Sequence, residues 1–281
     1  MRTKAIGLSL TVLICAGLLL FGCAKEGPVK PRLLRSMAEL DQRYIPVLVF
    51  TDLHKQREAE LAMQRYKEKW LIFYDDYHKL DLCYGENIVD KFWQEDFKRL
   101  NYLAASAEAL IEQGELVAAH ARLEEMRYIF KDMRHRHGLD YFLDGMTDFN
   151  NAMERMADIL RGKDRLGERD LRRLKEIFED AQNSLDGLTE ARLNRELFRF
   201  DPEKVTAIKA RVRQEQQALS ALSLALVSRN ADDIFQAVQD LQPNFVVLFK
   251  AFGDFQPIFD QMVKERDENK KEEVENETKN N

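Results

Sequence analysis

The chain has 281 residues, 43 basic and 49 acidic, and a formal net charge of −6 at pH 7. That length allows one large or two ordinary domains with a sizeable core, and the acidic balance argues against nucleic acid as a partner. With only three cysteines, two of them within the first 23 residues, stability must come from packing rather than a disulfide framework.

The first element is a leader. Arg2 and Lys4 precede an apolar run from Ala5 to Phe21, which ends in Leu20-Phe21-Gly22-Cys23. A positive start and a short apolar core are the marks of a secretory signal. The segment resembles a bacterial lipoprotein signal: Leu20, Gly22 and Cys23 fit the lipobox, while Phe21 stands where a small residue is usual. The resemblance implies cleavage of residues 1–22 and lipidation, palmitate included, of Cys23, with a linker over 23–34. It implies a body on the periplasmic side of the cell envelope, and Ala24 after the cysteine points to the outer membrane. The competing reading is an uncleaved transmembrane anchor, since Ala5 to Ala24 is just long enough to span a bilayer. Lipidation would leave Cys83 as the one further thiol of the body, read as a half-buried small apolar residue.

From there the pattern is helical nearly throughout, with glycines at the gaps between periodic runs. Val47 to Phe50 would suit a strand, but nothing nearby offers it a partner. The first helix is predicted from Thr51 to Leu80, with Tyr66, Trp70, Phe73 and Tyr77 on one face. The second carries Trp93, Phe97, Leu100, Ala104, Ala107 and Ile111 and ends at Gly114. The third carries Ala119, Leu123, Met126, Phe130, Met133 and His137 and stops at Gly138. The fourth carries Phe142, Met146, Phe149, Met153, Met156 and Leu160 and stops near Gly162. The fifth covers Glu168 to Leu185, with a looser helical stretch from Thr189 to Phe200. Asp201-Pro202 then marks a helix start, a capping acid followed by proline in the first turn. That sixth helix runs to about Arg229, and the seventh runs from near Asn230 to Phe252 with Pro243 inside it. Pro257 opens a short eighth, Ile258 to Val263; the charged segment 264–281 reads as a disordered tail or a fraying helix end.

These narrow stripes predict an all-α fold of antiparallel helical bundles. Adding 115 to the stripe of the third helix gives Ile234, Val238, Leu241, Phe245, Leu248 and Phe252, and takes Gly138 to Gly253. The same offset on the second gives Ile208, Val212, Glu215, Leu219, Leu222 and Leu226. One shared offset suggests a duplicated hairpin, hence two related up-down bundles in tandem, placed at 35–162 and 163–263. Glu215 is the polar exception; a drift of the stripe that turns Gln216 or Ala218 inward is preferred to a buried acid.

Chemistry is sparse. The chain lacks Gly-x-Ser-x-Gly, His-Glu-x-x-His and a phosphate-binding glycine loop, and Cys-x-x-Cys-His is absent, which excludes covalent c-type haem. Asp75-x-x-His78 and Asp132-x-x-His135 read as solvated helix faces. Met133, His137 and Met146 are candidate ligands for a soft ion such as Cu(I), set against the plainer reading of core filler and a helix-end histidine. The aromatic set Tyr66, Trp70, Phe73, Tyr74 and Tyr77 reads mostly as core, with partner anchoring as the alternative. In general form the body resembles the imelysin-like periplasmic proteins and the cytochrome c′ type of bundle. The imelysin Gly-x-His-x-x-Glu signature and the haem motif are missing, so neither resemblance carries residues over. The expected function is a non-enzymatic lipoprotein adaptor or scaffold for a protein partner, without a cofactor. The alternative is a bundle that holds a metal, non-covalent haem or a small molecule.

Overall fold

The computed structural model describes residues 29–80, 90–191 and 193–279, with side chains through residue 271. The described residues are all-α and contain no strand. In chain order the helices are α1 Val29–Asp52, α2 Gln56–Tyr77, α3 Trp93–Glu112, α4 Leu116–Arg136 and α5 Phe142–Leu160. There follow α6 Glu168–Glu190, α7 Arg195–Phe198, α8 Pro202–Ser228, α9 Ala231–Lys250 and α10 Gln256–Lys279.

Three departures from the sequence expectations have physical causes. Residues 29–34, expected as linker, begin α1, and the predicted first helix divides at the turn after Asp52. Pro31 sits in the first turn of α1, where a helix needs no amide donor. Val47 to Phe50 is helical, not extended; its unbroken apolar run arises because α1 is covered on several sides, by α2, α4, α7 and α9. Second, α6 passes through Gly187 to Glu190 instead of stopping at Leu185. Third, α10 continues to Lys279, so of the two readings of the charged segment, a disordered tail or a fraying helix end, it is the helical one that the structure takes through that residue. Arg57 of α2 holds Glu265 of α10 at 2.5 Å, and strong helix formers carry the rest.

Proline at position 46 deprives Gln42 of its usual donor one turn on. The amide of Asp254 supplies it, at 2.8 Å from the Gln42 carbonyl, and Arg43 pairs with the Asp254 carboxylate at 2.6 Å. Gly253 permits this approach: a Cβ there would lie 2.6 Å from the Phe255 ring and 2.9 Å from Ile45.

Helix contacts fall into two closed rings. α1 packs on α2, α2 on α3, α3 on α4, and α4 returns to α1; likewise α5 on α6, α6 on α8, α8 on α9, and α9 on α5. α5 packs mainly with the helices that follow it, so the boundary expected near 162 falls within the α5–α6 hairpin. Burial follows the 115-residue offset throughout: each of the six α3 stripe positions and its α8 counterpart is buried, Glu215 included. The offset extends to α2, where Ala59, Ala62, Tyr66, Trp70 and Phe73 match buried Leu174, Ile177, Ala181, Leu185 and Leu188 of α6. On α1, Met37, Leu40, Tyr44, Val47 and Thr51 match buried Met146, Phe149, Met153, Met156 and Leu160 of α5 at an offset of 109. The α5–α6 connection, 161–167, is longer than its counterpart at 53–55 and takes up most of the difference. One continuous apolar core joins the two rings. At the junction Phe198 meets Phe252 edge-on at 5.1 Å, and Gln42 donates to the Phe198 carbonyl at 3.2 Å.

Candidate functional site

A cleft of about 830 Å³ lies where α4 hands over to α5 and meets the last turns of α6. Gly138 turns the chain there with φ +59°, in the left-handed region that favours glycine. Lys131, His135, Asp148, Asn183 and Ser184 give the cleft hydrogen-bonding walls, while Leu139, Phe142 and Leu188 give it an apolar strip. A Cβ at Gly145 would come within 2.9 Å of Leu188, so α5 and α6 approach closely along this edge.

Beneath the cleft is a buried polar assembly. Arg134, with 3% of its side chain exposed, grips Asp144 from Nε at 3.0 Å and from Nη2 at 2.5 Å. Its guanidinium stacks 4.4 Å from the Tyr141 ring, and the Tyr141 hydroxyl donates to Asp41 at 2.7 Å. Burial pushes the Asp41 carboxyl up to about 6, against the opposing pull of Arg134 and the bond from Tyr141. Burial also raises the Tyr141 phenol well above its ordinary value, so it stays a donor. The floor of the cleft is thus fixed by charge-assisted bonds spanning α1, α4 and α5.

A second, smaller opening of about 90 Å³ lies between the rings, walled by α1, α4, α5 and α9. Arg127, with 7% of its side chain exposed, is among the residues that line it, and its Nη2 lies 2.5 Å from Glu124 Oε2, out of hydrogen-bond alignment. The Arg127 Nε has no hydrogen-bond partner among the described residues. Burial raises the Glu124 carboxyl; Arg127 and His120 oppose this, and Glu154 and Asp52 add to it. Asn150 donates to Glu154 at 2.6 Å.

Glu215 corrects the sequence reading. It is fully buried, and Gln216 and Ala218 are only partly so; the stripe does not drift. Neither carboxyl oxygen has a hydrogen-bond partner among the described residues, and burial pushes its pKa up to about 8. The carboxyl is therefore neutral at pH 7 and sits in the place that Leu100 holds in the first ring.

The other sequence candidates divide. Cys23, with the whole leader, and Cys83 lie outside the described residues. Met133 and Met146 are fully buried on α4 and α5. His137 turns toward α3: its ring meets Trp93 edge-on at 5.1 Å, and its Nε2 lies 3.9 Å from Asp90. Burial holds this imidazole below its ordinary pKa. His78 stacks on Tyr74 at 4.4 Å and bonds its carbonyl, and His135 is exposed at the large cleft. Tyr66, Trp70, Phe73 and Tyr77 are core, with Tyr74 partly buried. Among the described residues, no group of three or more His, Cys, Asp or Glu is placed to hold a metal. Both openings escaped sequence reasoning, because each depends on how helices pack: the large cleft on the α4–α5 corner against the end of α6, the smaller on helices distant in the chain.

The fold defines an all-α protein of paired helices. No family model, curated protein or solved structure matches it. No helix among the described residues is long and apolar enough to cross a membrane.

Proposed function

We propose that this protein is an extracytoplasmic lipoprotein, tethered through Cys23, whose helical body is a non-enzymatic adaptor that holds a segment of a partner protein. The large cleft carries this reading. It is open, its floor is held rigid by Arg134 and Asp144, and it sets an apolar strip beside hydrogen-bonding walls. That combination suits an extended or helical segment of another chain. Its position fits a tether as well: Lys30, at the start of α1, donates to the His137 carbonyl at 3.1 Å, beside the cleft. The leader supports the envelope address, and Ala24 favours the outer membrane.

Two measurements test this. Mass spectrometry of the mature N-terminus should find a lipidated Cys23, and Cys23→Ala should release the body from membranes; an intact Met1 would make it an anchored protein instead. A photo-crosslinking residue at Asn183 should capture one defined adduct, absent when the residue is moved to exposed Arg169 on the same helix. Equal capture from both positions would rule out the cleft. The alternative, a bundle that holds a small molecule between helices, is favoured by the small opening between helices at Arg127.

A further inference from the structure

We propose that the second ring binds a small aromatic carboxylate between the end of α6 and the start of α8. The ligand's ring would lie among Phe142, Leu188, Ile208 and Val212, and its carboxylate against Lys209 and Arg213. The site is separate from the opening at Arg127 and extends the small-molecule alternative to the second ring. It shares Phe142 and Leu188 with the partner cleft.

The two halves fill this place differently. In the first, Phe97 is surrounded by Phe73 at 5.6 Å, Tyr74 at 5.8 Å and Trp93 at 5.3 Å. At the 115-residue offset these four places hold Val212, Leu188, Thr189 and Ile208. All four of those residues line an opening of about 220 Å³. The frame that carries aromatic rings in one half is thus left partly open in the other, at matching positions. Phe142, stacked on Phe252 at 5.5 Å, adds an aromatic wall. Apolar walls favour an apolar occupant, with a few polar groups to orient it. An apolar cavity of about 150 Å³ takes benzene, so about 220 Å³ has room for one ring and a short acid arm.

The charge here selects an anion. Lys209 and Arg213, one turn apart on α8, are exposed and line the opening, and no acidic residue among the described ones does. The first half again supplies the contrast. There Lys98, at the place of Arg213, has Glu95 at 3.7 Å; the place of Glu95 is taken by Ala210. Among the described residues Arg213 has no acidic partner, and its Nε reaches the Lys209 carbonyl at 3.4 Å. Like charges one turn apart on a helix repel, and a carboxylate beside both relieves that repulsion. An uncharged ring would leave the two cations without an anion, and a simple anion would leave the apolar walls bare.

Calorimetric titration of the full chain with phenylacetate tests the assignment, against benzyl alcohol, acetate and phenethylammonium. Saturable binding of phenylacetate is expected, with acetate and phenethylammonium weaker by roughly tenfold or more. Val212→Phe, which restores the residue of the first half, should abolish binding by filling the opening. Lys209→Gln and Arg213→Gln, at exposed positions, should weaken phenylacetate several-fold and leave the weaker binding of benzyl alcohol unchanged. If Val212→Phe does not fold, the ligand series and the two exposed variants still decide. Benzyl alcohol binding as tightly as phenylacetate, with Arg213→Gln without effect on either, would keep a small-molecule site and overturn the carboxylate assignment. No heat from either compound up to about 10 mM would overturn the site and leave the small-molecule alternative to the opening at Arg127. Phenylacetate binding unaffected by a folded Val212→Phe would place it elsewhere and overturn the proposal as well.

Discussion

The two rings share one frame and fill it differently. In the first, Trp70, Phe73, Phe97 and Phe130 pack ring on ring at 5.6 to 6.3 Å, and both indoles are satisfied. Trp70 Nε1 donates to Asn101 at 3.1 Å and Trp93 Nε1 to the Tyr77 carbonyl at 2.8 Å. In the second, the matching places of Tyr66, Trp70 and Phe97 hold Ala181, Leu185 and Val212, and that of Leu100 holds Glu215. Register therefore fixes which positions face inward but not what fills them. The first interior is aromatic, with both indoles satisfied and the Tyr66 hydroxyl without a partner among the described residues, whereas the second is aliphatic at the matching places and carries a carboxyl with none.

The largest break in this contrast should come from the aromatic stack. Trp70→Ala is expected to cost about 3–5 kcal/mol in denaturant unfolding, and its counterpart Leu185→Ala to cost less, having fewer contacts to lose. An equal cost would mean that the rings contribute nothing beyond bulk. Glu215→Leu, which copies the first ring, should raise stability by roughly 1–3 kcal/mol, since it removes an unpaired buried polar group. The effect must depend on pH in a definite direction. The folded carboxyl ionises near 8 and an unfolded one near its ordinary 4.5. The unfolded chain therefore loses its proton first, and stability falls as pH rises from about 4.5 through about 8. Glu215→Gln should flatten that slope, and melting temperatures across the range would show whether it does.

The glycines at matched ends sharpen the comparison further. Gly138 is there for its φ of +59°, whereas Gly253 is there for room beside Ile45 and Phe255. Asparagine tolerates the left-handed region, so Gly138→Asn should be nearly neutral, whereas Gly253→Asn should cost about 1–3 kcal/mol by overpacking. Smallest of all, Arg99→Ala removes an exposed pair with Glu125 and should change stability by about 0–1 kcal/mol.

Much of this frame was legible in sequence because its helices are amphipathic on one stripe. The α3, α4, α8 and α9 faces follow from spacing, and Asp201 does cap α8, accepting from the Lys204 amide at 2.7 Å. α1 was not legible, because its second half, 44–51, is buried on every side and shows no period, and prolines at 31 and 46 read as punctuation. Glu215 was misjudged because a lone acid on an apolar stripe more often signals drift than burial. The openings at Arg134 and Arg127 depend on how one ring meets the other, which no local pattern encodes.

The bond from Asp254 to Gln42 sets an order of events. The carbonyl freed by Pro46 finds its donor in a residue made long afterwards; the neighbouring pair, Arg43 and Asp254, is 211 residues apart in sequence. As the chain is synthesised, α1 keeps an unmet acceptor in its middle until the α9–α10 corner arrives. The first ring is thus the earliest part to be made and among the last to be completed, and a fragment that stops before residue 254 would carry an unfinished helix at its centre.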